Sequence, residues 1–202
     1  MFVDVFKKPL VENDSYLIKL IKMDFDDNKI SDLMRNDEYL SLKFFRFMNK
    51  NISKDGFEGF DKPSLKNLKK MVKLNSSIYT FAINERNNMD YDTILEGLKY
   101  MLENGSRRAV IRFLNPFNEY FISENLMAVD VSCLAYIQYM KDQASIIFRA
   151  SDIKHELFVD IITLYRFFIK TVYLEPINIE IFASTAQNYS YMDEFLKKME
   201  GL

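Results

Sequence analysis

Residues 129–150 read VDVSCLAYIQYMKDQASIIFRA. Residues 129–140 and 144–150 are rich in the apolar, aromatic and β-branched residues that are typical of strands. Lys141, Asp142 and Gln143 lie between them and are few enough for a short hairpin connection. The stretch therefore predicts two neighbouring strands, with Cys133 on the first and Arg149 on the second.

The sequence on either side predicts a mixture of helices and strands. Further strands are expected at 108–114 and 178–182, while residues 16–23 suit either a strand or a helix. Helices are expected at about 31–48, 64–74, 93–102, 152–170 and 192–199, with Asp90 or Asp92 capping the third and Asn104-Gly105 ending it. Ser151 or Asp152 is expected to cap the fourth. The predicted fold is α+β, a mixed sheet with one long helix packed on it.

Length and composition predict a single domain over residues 1–202. Hydrophobic residues make up 49% and charged residues 28%, which is ordinary for a soluble globular protein. The net charge of −2 argues against broad binding to nucleic acid or to membranes. No apolar run reaches the length of a membrane span, and the N-terminus does not resemble a signal peptide. A cytoplasmic protein is therefore expected.

The cysteine and histidine counts limit the chemistry further. A single cysteine, Cys133, excludes an internal disulfide framework and suits a reducing compartment, and a single histidine leaves little for a zinc site, so no metal is expected. The abundance of Lys, Asn, Ile, Asp and Tyr is typical of an AT-rich coding genome, such as that of a virus or a low-GC bacterium.

Cys133 has two interpretations from the residues alone. A thiolate is a nucleophile, and a neighbouring guanidinium such as that of Arg149 favours the thiolate form. A lone cysteine on an apolar strand is also commonly a small core residue. The strand pair leaves both interpretations open.

A wider set of residues resembles a known family. The set contains SRRAVIRFLNP at 106–116, Cys133 with Gln138 five residues later, Arg149 with Asp152 three residues later, and Tyr189 after a helix and a strand. Its order and spacing are similar to those of thymidylate synthases and pyrimidine-nucleotide hydroxymethylases, over about half of the chain. The resemblance implies a thymidylate synthase-like fold and a homodimer with shared active sites.

The resemblance also implies a reaction and the roles of several residues. Cys133 would attack C6 of a pyrimidine nucleoside monophosphate, so that C5 accepts one carbon from 5,10-methylenetetrahydrofolate. Arg149 would bind the 5′-phosphate, together with Arg107 and Arg108 inserted from the partner subunit. Without the resemblance, two charges at a strand edge would be the preferred interpretation of Arg107 and Arg108.

Asp160 resembles the residue that separates two branches of this family. Thymidylate synthases carry asparagine at the matching place, whereas cytidylate hydroxymethylases carry aspartate, and a carboxylate can accept a hydrogen bond from the N4 amine of cytosine. The alternative is that Asp160 only meets water, Lys154 or a backbone amide. The resemblance thus implies a dCMP or CMP hydroxymethylase.

Four other residues complete the predicted site. Tyr189 resembles the tyrosine that binds the sugar, and Gln187 stands where the family has histidine. Tyr79 resembles a tyrosine near the nucleophile, although a core aromatic is the alternative. Asp152 supports nucleotide binding in the family, and a helix cap is the alternative.

Several positions depart from the family pattern. Leu134 follows the nucleophile where the family has histidine, Ala150 replaces a phosphate-binding serine, and the chain has no tryptophan to stack on a folate. The best match to the catalytic glutamate is Lys43, with Glu38 nearby. A second hypothesis is therefore a catalytically weakened relative that binds a nucleotide, or a partner subunit, and regulates.

Overall fold

The computed structural model describes residues 3–25, 80, 89–113, 133–154 and 157–201. The predicted helices at 31–48 and 64–74 lie outside these residues, and so do Tyr79, Lys43 and Glu38. None of the helices in the described ranges combines the length and apolar character that crossing a bilayer requires.

The described elements form an α+β fold, which confirms the predicted class. In chain order they are β1 (Val3–Lys7), β2 (Tyr16–Leu20), α1 (Tyr91–Glu103), β3 (Val110–Arg112), β4 (Leu134–Met140), β5 (Gln143–Phe148), β6 (Ser151–Asp152), α2 (Leu157–Leu164), β7 (Asn178–Ala183), β8 (Ala186–Gln187) and α3 (Met192–Glu200). A π-helical turn (Tyr165–Ile169) continues α2, and a 3₁₀ turn (Tyr189–Tyr191) precedes α3.

Six strands form a mixed sheet in the order β1-β2-β7-β5-β4-β3. Only β5 and β7 are parallel among these neighbours, because the chain crosses back through α2 between them. β4 and β5 are antiparallel and joined by a tight turn at 141–142, as predicted, with Gln143 already in β5. Residues 16–23 resolve as a strand, β2, over Tyr16–Leu20.

The core lies on one face of this sheet. Alternate residues of the strands are buried there, including Ile18 of β2, Ile146 of β5 and Ile181 of β7. The apolar stripe predicted for the long helix is also buried in the same cluster: Ile153, Leu157, Ile161, Leu164 and Phe168. The helix therefore packs on the sheet as the spacing of its apolar residues indicates.

The ends of α1 follow the predicted signals. Asp90 caps its start, where the carboxylate accepts hydrogen bonds from the backbone N–H and the hydroxyl of Thr93 at 2.9 and 2.7 Å. The Thr93 hydroxyl and then its amide hold the pKa of Asp90 below its usual value. Asn104 ends the helix, and Gly105 follows with a φ of +66° in the left-handed region that glycine favours.

The predicted cap of the long helix is wrong. Ser151 and Asp152 form β6, which pairs in parallel with Ala186 and Gln187 of β8, and helix α2 is described over Leu157–Leu164. The amide of Ser151 donates to the carbonyl of Thr185 at 2.9 Å. Pairing with a distant strand has therefore replaced the local capping that the sequence pattern favours.

The strands predicted to carry Cys133 and Arg149 end short of these two residues. β4 begins at Leu134, so that Cys133 lies in a bend just before it, and β5 ends at Phe148, so that Arg149 and Ala150 form a bend just after it. Both residues of interest therefore lie at strand ends, at the same end of the sheet.

Candidate active site

Cys133 and Arg149 face each other at this end of the sheet. The Arg149 backbone N–H donates to the carbonyl oxygen of Cys133 at 2.8 Å, next to the paired residues Leu134 and Phe148. Cys133 is half-buried and outside any disulfide, and Arg149 is exposed. A partly accessible thiol and an accessible guanidinium are thus held on adjoining backbone.

The small β6–β8 sheet brings three further predicted residues to the same end. Asp152 pairs in register with Gln187, and the half-buried Tyr189 begins the next turn. The side-chain amide of Asn188 donates to the Asp152 carboxylate at 2.9 Å. The alternative role of Asp152 as a helix cap is therefore replaced by a tie between the two segments that follow β5 and β7.

Asn188 adopts a conformation that this arrangement requires. Its φ is +55°, in the left-handed region that asparagine tolerates better than most residues, and its backbone N–H donates to the Glu12 carboxylate at 3.1 Å. Glu12 lies in the connection between β1 and β2. Three separate parts of the chain therefore meet beside Tyr189.

Asp160 is the one residue of α2 that is not buried. The other seven residues of Leu157–Leu164 are buried, whereas Asp160 is half-buried. Its carboxylate acts electrostatically on the hydroxyl of Tyr16, and that hydroxyl donates to Ser151 at 3.0 Å. Asp160 thus approaches the segment that carries Arg149 and Asp152 from the helix side.

Arg107 and Arg108 lie at the opposite end of β4. The carbonyl of Ala109 accepts from the amide of Tyr139 at 2.8 Å, and the Gln138 side chain donates to the Arg107 carbonyl at 3.4 Å. Tyr139 is six residues after Cys133, about 20 Å along a strand. Within one chain, these two arginines therefore do not join Arg149 in one site.

The structure adds residues that the sequence analysis did not select. Tyr16, Ser151, Asn188 and Glu12 all form hydrogen bonds within this region. Ser151 and Asn188 could have been selected from the sequence, because they adjoin selected residues. Nothing in the sequence connects Tyr16 or Glu12 to segments more than 130 residues away.

Two small cavities of about 40 and 30 Å³ lie in the described part of the chain. The first is lined by residues including Asp24, Tyr165 and Lys170, and the second by residues including Lys154, Phe158 and Tyr191. Neither is lined by Cys133 or Arg149. Among the described residues, no group of three or more His, Cys, Asp or Glu side chains is placed to hold a metal ion.

Comparison with known protein families finds no matching family, and comparison with curated proteins finds no similar sequence. The chemistry of this end of the sheet therefore rests on the residues themselves.

Proposed function

We propose that the chain is a pyrimidine nucleoside monophosphate C5 one-carbon transferase of the cytidylate hydroxymethylase type, with a thymidylate synthase-like fold. The observation that carries the proposal is the backbone pairing of Cys133 with Arg149 at 2.8 Å, at the end of the sheet where Asp152, Gln187 and Tyr189 also meet. These are five of the residues that the resemblance selected, and they come from three separate segments of the chain.

Each residue has a chemical task in this proposal. The Cys133 thiolate forms a bond to C6 of the base, and the electron pair of the C5–C6 double bond moves to C5, which becomes nucleophilic. Arg149 binds the 5′-phosphate through charge-assisted hydrogen bonds. Asp160 accepts from the N4 amine of cytosine, and Tyr189 binds the sugar.

The one-carbon donor implied by the resemblance is 5,10-methylenetetrahydrofolate. The described residues do not form a folate site by themselves, because neither cavity includes Cys133 and the chain has no tryptophan. No step is therefore assigned through the cofactor.

A homodimer is part of the same proposal, and two features support it. Arg107 and Arg108 are about 20 Å along the strand from Cys133, so they serve a phosphate site only in another protomer. The second face of the sheet, opposite the core, also carries a row of half-exposed apolar side chains in register. This row consists of Leu17, Phe182, Ile147 and Tyr136.

The two features are geometrically compatible. A twofold axis that lies between two such faces and runs across the strands places the far end of one sheet over the near end of the other. That arrangement would carry Arg107 and Arg108 towards the Cys133 end of the partner.

The second candidate function is a nucleotide-binding or regulatory protein of the same fold without catalysis. Leu134 and Ala150, which replace polar residues of the family pattern, favour it. Both candidates bind a nucleotide, so thermal shift with dCMP, CMP, dUMP and dTMP tests what they share, since a ligand that binds the folded state raises its stability.

Exchange of the C5 hydrogen of dCMP with deuterated solvent separates the two candidates. Addition of Cys133 at C6 makes C5 basic enough to exchange, with no folate present. The enzyme hypothesis predicts exchange by the wild type and none by Cys133→Ala. Nucleotide binding without any exchange would favour the regulatory protein instead.

A further inference from the structure

A buried hydrogen bond joins the start of β2 to the segment that follows β5. The Tyr16 hydroxyl donates to the Ser151 hydroxyl at 3.0 Å, between residues 135 positions apart. Tyr16 is 0% exposed and Ser151 is 4% exposed. The other buried polar side chain outside the tyrosines, Thr163, bonds within its own helix to Val159. Ser151 is therefore a buried polar residue that connects separate elements of the fold.

Ser151 lies at the centre of the segment that carries the nucleotide-binding candidates. Arg149 on one side is tied to Cys133, and Asp152 on the other is tied to Asn188. The bond to Tyr16 ties the side chain of Ser151 to the main sheet, where Tyr16 is paired with Ala183, in addition to the backbone bond from Ser151 to Thr185. Residues 149–152 are thus fixed from three directions.

The donor in this bond keeps its proton across the physiological range. Burial raises the pKa of Tyr16 well above its usual value, the bond to Ser151 opposes this, and the nearby Asp160 carboxylate raises the pKa further. The neutral hydroxyl therefore remains a donor to Ser151, within electrostatic reach of Asp160.

An apolar pair would fill this place in the core equally well. Burying two hydroxyl groups carries a desolvation cost that their mutual hydrogen bond only partly offsets. A directional bond, unlike an apolar contact, fixes where the backbone of Ser151 lies. The pair is therefore better suited to positioning than to general stability.

We propose that Tyr16, acting through Ser151, is a positioning residue that holds the backbone of Arg149 and Asp152 in the geometry that binds a pyrimidine nucleotide. The inference rests on the proposed function, because it concerns the same site. It adds Tyr16 and Ser151, which are not among the residues that the resemblance selected.

The test compares two variants that each remove one buried hydroxyl. Tyr16→Phe breaks the bond to Ser151. Tyr139→Phe is the matched control, because Tyr139 is also 0% exposed and its hydroxyl donates to the carbonyl of Phe168 at 3.0 Å, away from the site. Calorimetric titration with dCMP measures affinity, and thermal melting measures stability.

Both variants are expected to lower the melting temperature to a similar degree. Only Tyr16→Phe is expected to weaken dCMP binding. The expected loss of affinity is about 5- to 10-fold, which corresponds to the net free energy that one hydrogen bond usually contributes. Equal dCMP affinity in the two variants would overturn the inference and leave the proposed function intact. A wild type that binds neither dCMP nor dUMP would overturn both.

Ser151→Ala and the double variant Tyr16→Phe/Ser151→Ala complete a cycle. If Tyr16 acts through Ser151, the double variant binds dCMP no more weakly than the weaker of the two single variants. Additive losses would mean that the two hydroxyls act separately and would overturn the inference. The cycle is informative even where each variant is less stable, because affinity is compared among folded proteins.

Discussion

Asp160 is the side chain on which the choice of base depends in the proposed site. A carboxylate suits the N4 amine of cytosine and opposes the O4 acceptor of uracil. Asp160→Asn is therefore expected to shift binding from dCMP towards dUMP by about 5- to 150-fold, the equivalent of ~1–3 kcal/mol. Calorimetric titration of both proteins with both nucleotides measures this shift.

Asp142→Asn serves as the control for that substitution. Asp142 is exposed in the turn between β4 and β5, so its substitution by asparagine removes the same charge at a position away from the site. The assignment of Asp160 fails if the wild type does not distinguish dCMP from dUMP, or if Asp142→Asn and Asp160→Asn have the same effect.

Cys133 offers a direct chemical readout because it is the only cysteine. A half-buried thiol held beside an arginine is expected to alkylate near neutral pH, and the cognate monophosphate is expected to slow this reaction. Mass spectrometry of the intact protein after iodoacetamide treatment gives the rate. A thiol that stays inert in the folded, ligand-free protein would instead indicate a core residue.

Individual site residues were predictable where the contacts between them are local. Cys133 and Arg149 flank the open end of two strands joined by one turn, so the hairpin pattern alone brings them together. The bond from Tyr16 to Ser151 depends on how distant segments pack, and no local pattern encodes it. The roles assigned to Asp160 and Tyr189 came from the resemblance, and they stay predictions.

Two glycines, one within helix α1 and one just after its end, are expected to respond oppositely to alanine. Gly105 follows the helix at a φ of +66°, whereas Gly97 lies within it, and neither has a heavy atom within 4 Å of an added Cβ. Gly105→Ala is expected to lower the free energy of unfolding by about 1 kcal/mol through backbone strain. Gly97→Ala is expected to raise it by ~0.5–1 kcal/mol.

Chemical denaturation of the two variants tests this pair. Both substitutions add the same methyl group without a clash. The difference between their effects on the free energy of unfolding therefore reports the backbone conformation at the two positions. A stabilising Gly105→Ala would contradict the left-handed end of α1.

The predictions of helices and strands also succeeded where the deciding contacts are local and failed where they are not. The cap of α1 and the β4–β5 hairpin were predicted because Asp90, Asn104-Gly105 and the turn at 141–142 act on their immediate neighbours. The predicted cap of α2 was wrong because Ser151 and Asp152 pair with β8, more than 30 residues later. Local capping preferences give no information about such a partner.

At the scale of the whole molecule, the second face of the sheet is expected to hold two protomers together. Ile147 lies near the centre of its apolar row, between Phe182 and Tyr136. Ile147→Lys is expected to convert a dimer to a monomer, because it buries a charge at the interface without a partner. Analytical ultracentrifugation at micromolar protein, with dCMP present, measures the change.

Tyr100→Lys is the control for this substitution. Tyr100 is 68% exposed on α1, which packs on the core side of the sheet through Leu98, so a lysine there adds the same charge away from the proposed interface. A wild type that sediments as a monomer with nucleotide present would contradict the proposal of shared active sites. If the Ile147→Lys variant remains a dimer, the interface does not lie on this face of the sheet.

The overall class was predictable, whereas the strand order was not. Composition and the alternation of strand and helix patterns suffice for an α+β domain. The insertion of β2 between β1 and β7 depends on pairing between residues 16–20 and 179–183, which only the folded chain reveals.

That pairing has a consequence for how the protein is made. Leu20 pairs with Ile179, 159 positions later, so a ribosome adding ~5–20 residues per second supplies the partner strand about 8 to 30 s after the hairpin. Until then the β1–β2 hairpin has no β7 beside it, and Ile18 and Leu20 lack the cover they have in the finished sheet. A nascent chain halted before residue 178 is thus expected to remain open to proteases at its β1–β2 hairpin, and the sheet closes only after β7 has been made.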